Sequence, residues 1–430
     1  MRAERFAGRR RAYGPLMTAR SPENPRATPG ASAAREVRTE AVRTEAVRTE
    51  PPRTGAARSA GPVVTELRLS AFASHRGAVL PVGPLTLFTG AGGSGKSSAL
   101  RAYEALARLG AGDPLDEVFP DPAAYVPERT GPDAQGRRGF RIGCTATGPA
   151  GPVRLDVAVQ AEPSLRIVGE RLTGGGEKLL TTALRDPRGS TVQAAWHTAG
   201  AVPVTRAPLP DDVLGTALLP LRVAGTTEGQ LRVLAAAEQM VVALRSVFVC
   251  EPQPQRMRAP VPSGEGRLRR DCDNLAAVLE RTHTQCGQRH ARLVAAAAAG
   301  CAGTVRGLGV ERLPDGLLRA VVQRDGGHLT PVGRLGDGEL RYLALALVLL
   351  TGPGVLAMDA VAEVPSAMQT LTVLADGLDR DLDGRQVAEL LALAASVGST
   401  GHLRLVGAAA GAAAARARGT AGATVVDLGP

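Results

Sequence analysis

The sequence predicts an α/β fold: a mainly parallel core sheet flanked by helices, an antiparallel β subdomain, and an inserted, mostly helical lobe. Three observations carry this. A buried-type strand, Pro84 to Thr89, runs straight into a glycine-rich loop and then into a helix from Lys96 to about Leu109, with Leu100, Tyr103, Leu106 and Ala107 at helical spacing. Toward the C-terminus, strand and helix patterns alternate, as a parallel sheet with crossover helices requires. Between these regions, Phe140-Ile142-Cys144, Val153-Leu155-Val157-Val159 and Leu165-Ile167 keep a two-residue period between Gly and Pro turns, which reads as an antiparallel meander.

Taken in order, the chain begins with a segment that cannot fold alone. Residues 1–61 are rich in Arg, Pro, Ala and Glu, hold almost no large apolar side chains, and repeat V-R-T-E from Val37, Val42 and Val47. The first 60 residues contain 13 Arg and 6 Glu, so this tail carries +7 of the net charge of +10. Attraction to a phosphate backbone would therefore come chiefly from the tail and not from the body. The Arg-rich start lacks the apolar stretch of an export signal. No apolar run approaches the roughly 20 residues that span a bilayer, and Leu343 to Leu350 stops at Gly352 and Pro353. Five cysteines, odd in number and without a C-x-x-C pair, fit neither a disulfide framework nor a zinc ribbon. These features together predict a soluble, cytoplasmic protein without membrane contact.

Strand residues Val64, Leu67 and Leu69 open the N-terminal half of the core, 62–173, which holds the glycine loop and the meander. The lobe, 174–330, is expected to be mostly helical, with helices near Gln230 to Val247 and from Asn274 to Ala299, the latter interrupted only by Gly287. In that helix His283, Cys286 and His290 share a face at a spacing that could present metal ligands, but with no fourth ligand nearby in sequence they read as an ordinary polar face with one semi-buried cysteine. The C-terminal half of the core, 331–430, reads as an apolar helix from Leu340 to Leu350, a buried strand from Gly354 to Met358 ending at Asp359, and short strands at Leu403 to Val406 and Thr424 to Leu428.

The glycine loop carries the chemistry. Gly90-Ala91-Gly92-Gly93-Ser94-Gly95-Lys96-Ser97, followed by Ser98, fits G-x-x-x-x-G-K-[ST] in full. Such a loop wraps phosphates with inward N–H groups, at dihedrals that glycine tolerates best. The helix behind it adds its positive dipole end, the lysine neutralises the outer phosphates, and the Ser97 hydroxyl ligates magnesium. Only two of the 51 basic residues are lysines, Lys96 and Lys178, which makes a chance match rarer still. ATP and Mg2+ are the implied ligands, on a P-loop NTPase fold.

The surroundings of this loop resemble the ABC-like ATPases of the SMC, RecF and OLD group. Phe72-Ala-Ser-His-Arg76 and the strand to Thr89 look like that group's opening, and Asp271-Cys-Asp-Asn-Leu-Ala-Ala-Val-Leu279 like a segment that many bacterial AAA-type members carry. Leu335-Gly336-Asp337-Gly338-Glu339 is similar to its signature loop before a helix. The resemblance implies an ABC-like core in which the signature of one protomer caps the ATP on the P-loop of another, an ATP-dependent homodimer. It implies a partner in the DNA or repair and defence-effector class. It makes Asp359 the Walker B aspartate that positions magnesium. A strict SMC protein is excluded, because the roughly 240 residues between loop and signature hold no sustained heptads.

Departures from the pattern matter as much. Ala360 stands where the group has a water-orienting Glu, and the nearest carboxylate, Glu363, is the candidate catalytic base if the loop is rebuilt. Gly336 replaces the signature serine, and Gly407-Ala408-Ala409 follows Val406 where a γ-phosphate-sensing histidine belongs. Two readings follow: a weak ATPase whose nucleotide gates dimerisation, or an ATP-binding regulatory scaffold with little or no hydrolysis. A small-molecule kinase on the same loop would leave the signature-like segment unaccounted for.

Overall fold

The structure is a computed structural model that describes residues 61–198, 203–264, 266–358 and 369–429. Residues 1–60 of the tail lie outside the described residues, as do Asp359, Ala360 and Glu363.

In chain order the elements are β1 (Val63–Phe72), β2 (His75–Pro81), β3 (Leu85–Thr89), α1 (Lys96–Ala111), α2 (Leu115–Val118), β4 (Arg138–Gly148), β5 (Gly151–Glu162), β6 (Arg166–Gly174), β7 (Glu177–Ala183), β8 (Thr191–His197) and β9 (Val204–Pro210). There follow α3 (Gly215–Arg222), α4 (Glu228–Arg245), β10 (Val247–Val249), α5 (Pro254–Met257), β11 (Val261–Pro262), α6 (Leu275–Gln285), α7 (Gly287–Gly300), β12 (Gly307–Arg312), β13 (Leu317–Gln323) and β14 (Leu329–Pro331). The last are α8 (Asp337–Leu350), β15 (Leu371–Ala375), α9 (Gly384–Gly398), β16 (Leu403–Ala408), α10 (Gly411–Arg418) and β17 (Ala423–Asp427).

Five strands build the parallel core sheet in the order β10-β15-β16-β3-β17, every neighbouring pair parallel. Its strands are apolar on both faces, as a sheet covered on both sides demands. Leu85, Leu87, Leu371, Val373, Leu403 and Leu405 face one core with α8, α9 and α6. The alternating partners Phe88, Leu374, Val406 and Ala408 face a second core with α1, α4 and the antiparallel sheet. The period-two inversion of the strand thus joins two hydrophobic clusters through one sheet.

The antiparallel sheet has eight strands, β2-β1-β4-β5-β6-β7-β8-β9. The meander read from the sequence forms its centre as β4, β5 and β6. The expectation of a mostly helical lobe at 174–330 is corrected: β7, β8 and β9 extend this sheet, and β11 to β14 make a third, small one. Val192, Ala194 and Trp196 alternate inward on β8, a pattern too short and too interrupted by turns to stand out from the helical segments around it. Arg404 on β16 joins the two large sheets. Its buried guanidinium donates to the carbonyls of Val64 (2.5 Å) and Val82 (2.7 Å), and burial pushes its pKa down.

Two further expectations change. The helix from Asn274 to Ala299 breaks into α6 and α7 at Cys286, whose φ of −152° and ψ of 83° are extended backbone ahead of the glycine at 287. Gly354 to Met358 is no strand of the core sheet: Pro353–Val355 is a 3-10 turn, and Leu356 makes a single bridge to Leu268. Gly352, Pro353 and Gly354 break the run before a ladder can form, and β15 takes its place in the sheet. No helix among the described residues is long and apolar enough to cross a membrane.

Candidate functional site

The loop Gly90 to Gly95 lies between β3 and α1, at the C-terminal edge of the parallel sheet, where open α/β sheets bind ligands. Gly90, Gly93 and Gly95 take positive φ values of 141°, 84° and 96°. At Gly95 a side chain would also collide with the buried His75 ring, 2.6 Å from where its Cβ would stand. His75 lies at the start of β2, and its Nε2 is 3.0 Å from the Gly95 carbonyl oxygen, so the turn from β1 to β2 braces the loop from below. From above, Ala91 N donates to the Gly429 carbonyl at 3.3 Å.

The Lys96 ammonium donates to the loop's own carbonyls, Gly90 at 2.8 Å and Ala91 at 2.7 Å. The Ser94 hydroxyl is buried and has no hydrogen-bond partner among the described residues. The first amides of α1, as at any helix start, have no carbonyl one turn back to accept them. An orphaned hydroxyl, a cation turned inward and free helix N–H groups fit a polyphosphate.

Ser97 shares a cavity of about 320 Å³ with Asp376, Glu251, Arg270, Arg101 and Glu104. Asp376 directly follows β15, the neighbour of β16, which in turn pairs with β3. Sequence reading missed it. The run Leu371 to Ala375 ending in Asp376 has the same pattern as Val355 to Asp359, and only the Gly-Pro-Gly cluster ahead of the latter distinguishes them. The residue after Asp376 is Gly377, at φ 58°, and the Arg380 guanidinium lies 3.1 Å from where a Cβ on it would stand. Asp379, the next carboxylate, accepts from Ala410 N at 2.9 Å.

The signature-like residues start α8. Gly336 is its N-cap, and Glu339 reaches back to Gly336 N at 3.0 Å and out to Ala302 N at 2.8 Å. Asp337 pairs with Arg258 at 2.7 Å, whose guanidinium also bonds the Leu335 carbonyl. Gly338 is where the backbone passes within 2.1 Å, measured from a would-be Cβ, of the Asp381 carbonyl, so a packing contact inside the chain requires this glycine. Gly336 has no such neighbour closer than 3.7 Å. Two residues after Glu339, buried Arg341 donates to the carbonyls of Pro252 (2.9 Å) and Gly377 (3.1 Å). The start of α8 is thereby tied to the residues that follow Glu251 and Asp376.

Elsewhere, β16 leads to Ala408 and Ala409, both buried, and no histidine stands at its C-terminal end; His402 precedes it. His283 and His290 meet edge to face at 4.8 Å, with His290 Nε2 3.0 Å from the Leu308 carbonyl. No group of three or more metal-ligating side chains occurs among the described residues.

No family model and no curated protein matches the chain. Among solved structures it is similar to an SMC head bound to the C-terminal winged-helix domain of ScpA, at 14% identity and a TM-score of 0.45, over 81% of this chain and 90% of that one. It is similar to the SMC head domain from Thermotoga maritima, at 13% identity and a TM-score of 0.39, over 82% and 90%. It is also similar to an Smc head with an extended coiled coil bound to the C-terminal domain of ScpA, derived from Pyrococcus furiosus, at 10% identity and a TM-score of 0.41, over 81% and 89%.

Proposed function

We propose that the protein binds ATP with magnesium on the loop Gly90 to Ser98, and that the bound nucleotide closes a homodimer that acts on another macromolecule. The observation that carries this reading is the shared cavity of Ser97 and Asp376, next to a loop whose lysine and orphaned Ser94 hydroxyl fit phosphate. Ser97 and Asp376 would hold the magnesium ion, which when bound neutralises phosphate charge. Asp376 replaces Asp359 in that role, because it ends a strand of the core sheet. Lys96 would exchange its two loop carbonyls for the outer phosphates. Dimer closure rests on the signature-like start of α8, whose N-terminal N–H groups suit a γ-phosphate offered by a second copy. DNA or an effector protein is the partner class that the sequence resemblance suggests.

A scaffold with little hydrolysis is the favoured form of this reading. Gly377 offers no carboxylate after Asp376, Asp379 is engaged at Ala410, and no histidine ends β16. Radiolabelled ATP binding and phosphate release, measured separately with and without DNA and alongside sedimentation, test it. Tight Mg-dependent binding, a dimer on adding ATP, and release far below about 10 per second are expected. Absence of ATP binding overturns the reading, and brisk turnover abolished by Glu363→Gln overturns its scaffold form.

A further inference from the structure

Besides Asp376, the cavity beside Ser97 is lined by Glu104, Glu117 and Glu251, acidic groups that the loop motif does not account for. Glu251 follows β10 by two residues, as Asp376 follows Leu374 by two on β15. Val249 pairs with Leu374 in the parallel ladder, and Cys250 N donates to the Leu374 carbonyl at 2.8 Å. Glu251 and Asp376 each lie two residues beyond that last ladder pair. Both line the same cavity as Ser97.

Both carboxylate oxygens of Glu251 are held by one arginine. Arg270 donates to one of its oxygens at 2.8 Å and to the other at 3.0 Å. The same guanidinium grips both oxygens of Glu104, two turns along α1 from Lys96. The segment bearing Arg270 is itself anchored, with Glu251 N donating to the Arg270 carbonyl at 2.8 Å and Gln253 N to that of Asp271 at 3.0 Å. One arginine therefore ties the helix behind the P-loop to the strand edge beside Asp376. The Arg270 hydrogen bonds hold the Glu251 carboxyl below its ordinary range, so it is ionised and a weaker base, with each oxygen already accepting one bond from the guanidinium.

Given the ATP site proposed above, on which this rests, we propose that Glu251 is the carboxylate that orients the attacking water, and that the Arg270 clasp holds it idle. In the step, the water oxygen bonds the γ-phosphorus and the bond from that phosphorus to the β–γ bridging oxygen breaks. ADP leaves with the electron pair, and one water proton passes to a Glu251 oxygen. The clasp accounts for slow turnover without requiring that the carboxylate be missing. It also gives a partner a means of activation, since any contact that draws Arg270 away frees a carboxylate already in the cavity of Ser97 and Asp376.

The test uses the full chain and compares wild type, Glu251→Gln, Arg270→Gln and the double variant. Fluorescent-ATP affinity, melting temperature and phosphate release are read for each. Arg270→Gln raises release about a hundredfold, the lower end of what a positioned base contributes, and the double variant falls to the background of Lys96→Ala. Affinity stays within about twofold in all of them, because the clasp does not touch the phosphates. Glu104→Gln loosens the clasp from the α1 side and gives a smaller rise, which keeps the test open if Arg270→Gln does not fold. A double variant that retains the gain, or clasp variants that fold, bind ATP and turn over no faster, overturn the proposal. Loss of Mg-dependent ATP affinity in Glu251→Gln also overturns it and makes Glu251 a metal ligand. Wild type that binds no ATP fails the underlying site instead, so the two failures are told apart.

Discussion

The loop between β3 and α1 and the edge at the end of β15 lie on the same side of one sheet, yet they relate to sequence in opposite ways. The loop is local: eight consecutive residues hold the glycines, the lysine and the serine, and the flanking strand and helix are contiguous with them. The β15 edge is assembled from a distance. Asp376 lies 279 residues from Ser97 and reaches it only because β15 and β3 flank β16. A motif whose spacing is fixed by the covalent chain can be read in one dimension. One that depends on strand order cannot, because an apolar run ending in Asp is common.

The largest effect expected on the loop side is that of Lys96→Ala. A charge-assisted contact of this kind is worth about 1.5 to 3 kcal/mol, so ATP affinity should fall by roughly ten- to a hundredfold while the melting temperature holds. Unchanged affinity in the folded variant breaks the comparison at its base. On the other side, Asp376→Ala should remove the magnesium dependence of ATP affinity, about tenfold, and Asp359→Ala should leave it intact. Titrating magnesium against each variant decides between the two aspartates, and the opposite result would return the role to Asp359.

A third measurement asks whether the position after Asp376 is the one that limits turnover. Gly377→Glu with Arg380→Ala, which clears the guanidinium packed there, should raise phosphate release several-fold, and Ala360→Glu should not. The positive φ of Gly377 makes the substitution cost about 1 kcal/mol, visible as a lower melting temperature. Equal responses from both variants would mean that the two loops share the task.

The signature-like segment sharpens the contrast at smaller scale. Gly338→Ala should destabilise by about 2 kcal/mol, as overpacking against backbone does, because its Cβ would stand 2.1 Å from the Asp381 carbonyl. Gly336→Ser meets nothing close and should be neutral within about 0.5 kcal/mol, by thermal unfolding of both. The smallest effect belongs to the tail: deleting residues 1–60 should change neither ATP affinity nor melting temperature, because the segment brings almost no apolar surface to a core. A cooperative drop in melting temperature after the deletion would show that the body needs it. If the tail tethers DNA, its removal flattens the salt dependence of that binding.

By itself the sequence determined the pieces whose information is contiguous. These are the β3–loop–α1 unit, the meander of β4 to β6, the apolar helix of α8, and the short strands β16 and β17. Each rests on periodicity or on a motif within one stretch of chain, so backbone geometry alone sets the spacing. The tertiary structure decided what required comparing distant segments. It continued the antiparallel sheet through β7 to β9, split the Asn274 helix at Cys286, and gave β15 the place expected for Gly354 to Met358. It also brought Glu251 and Asp376 into one cavity and gave Gly338 a close backbone packing contact at Asp381. The reason in every case is that strand neighbours, register and close backbone approach are choices among many segments of similar local preference. Burial of two apolar faces on one sheet makes that choice, and no single window of residues contains it.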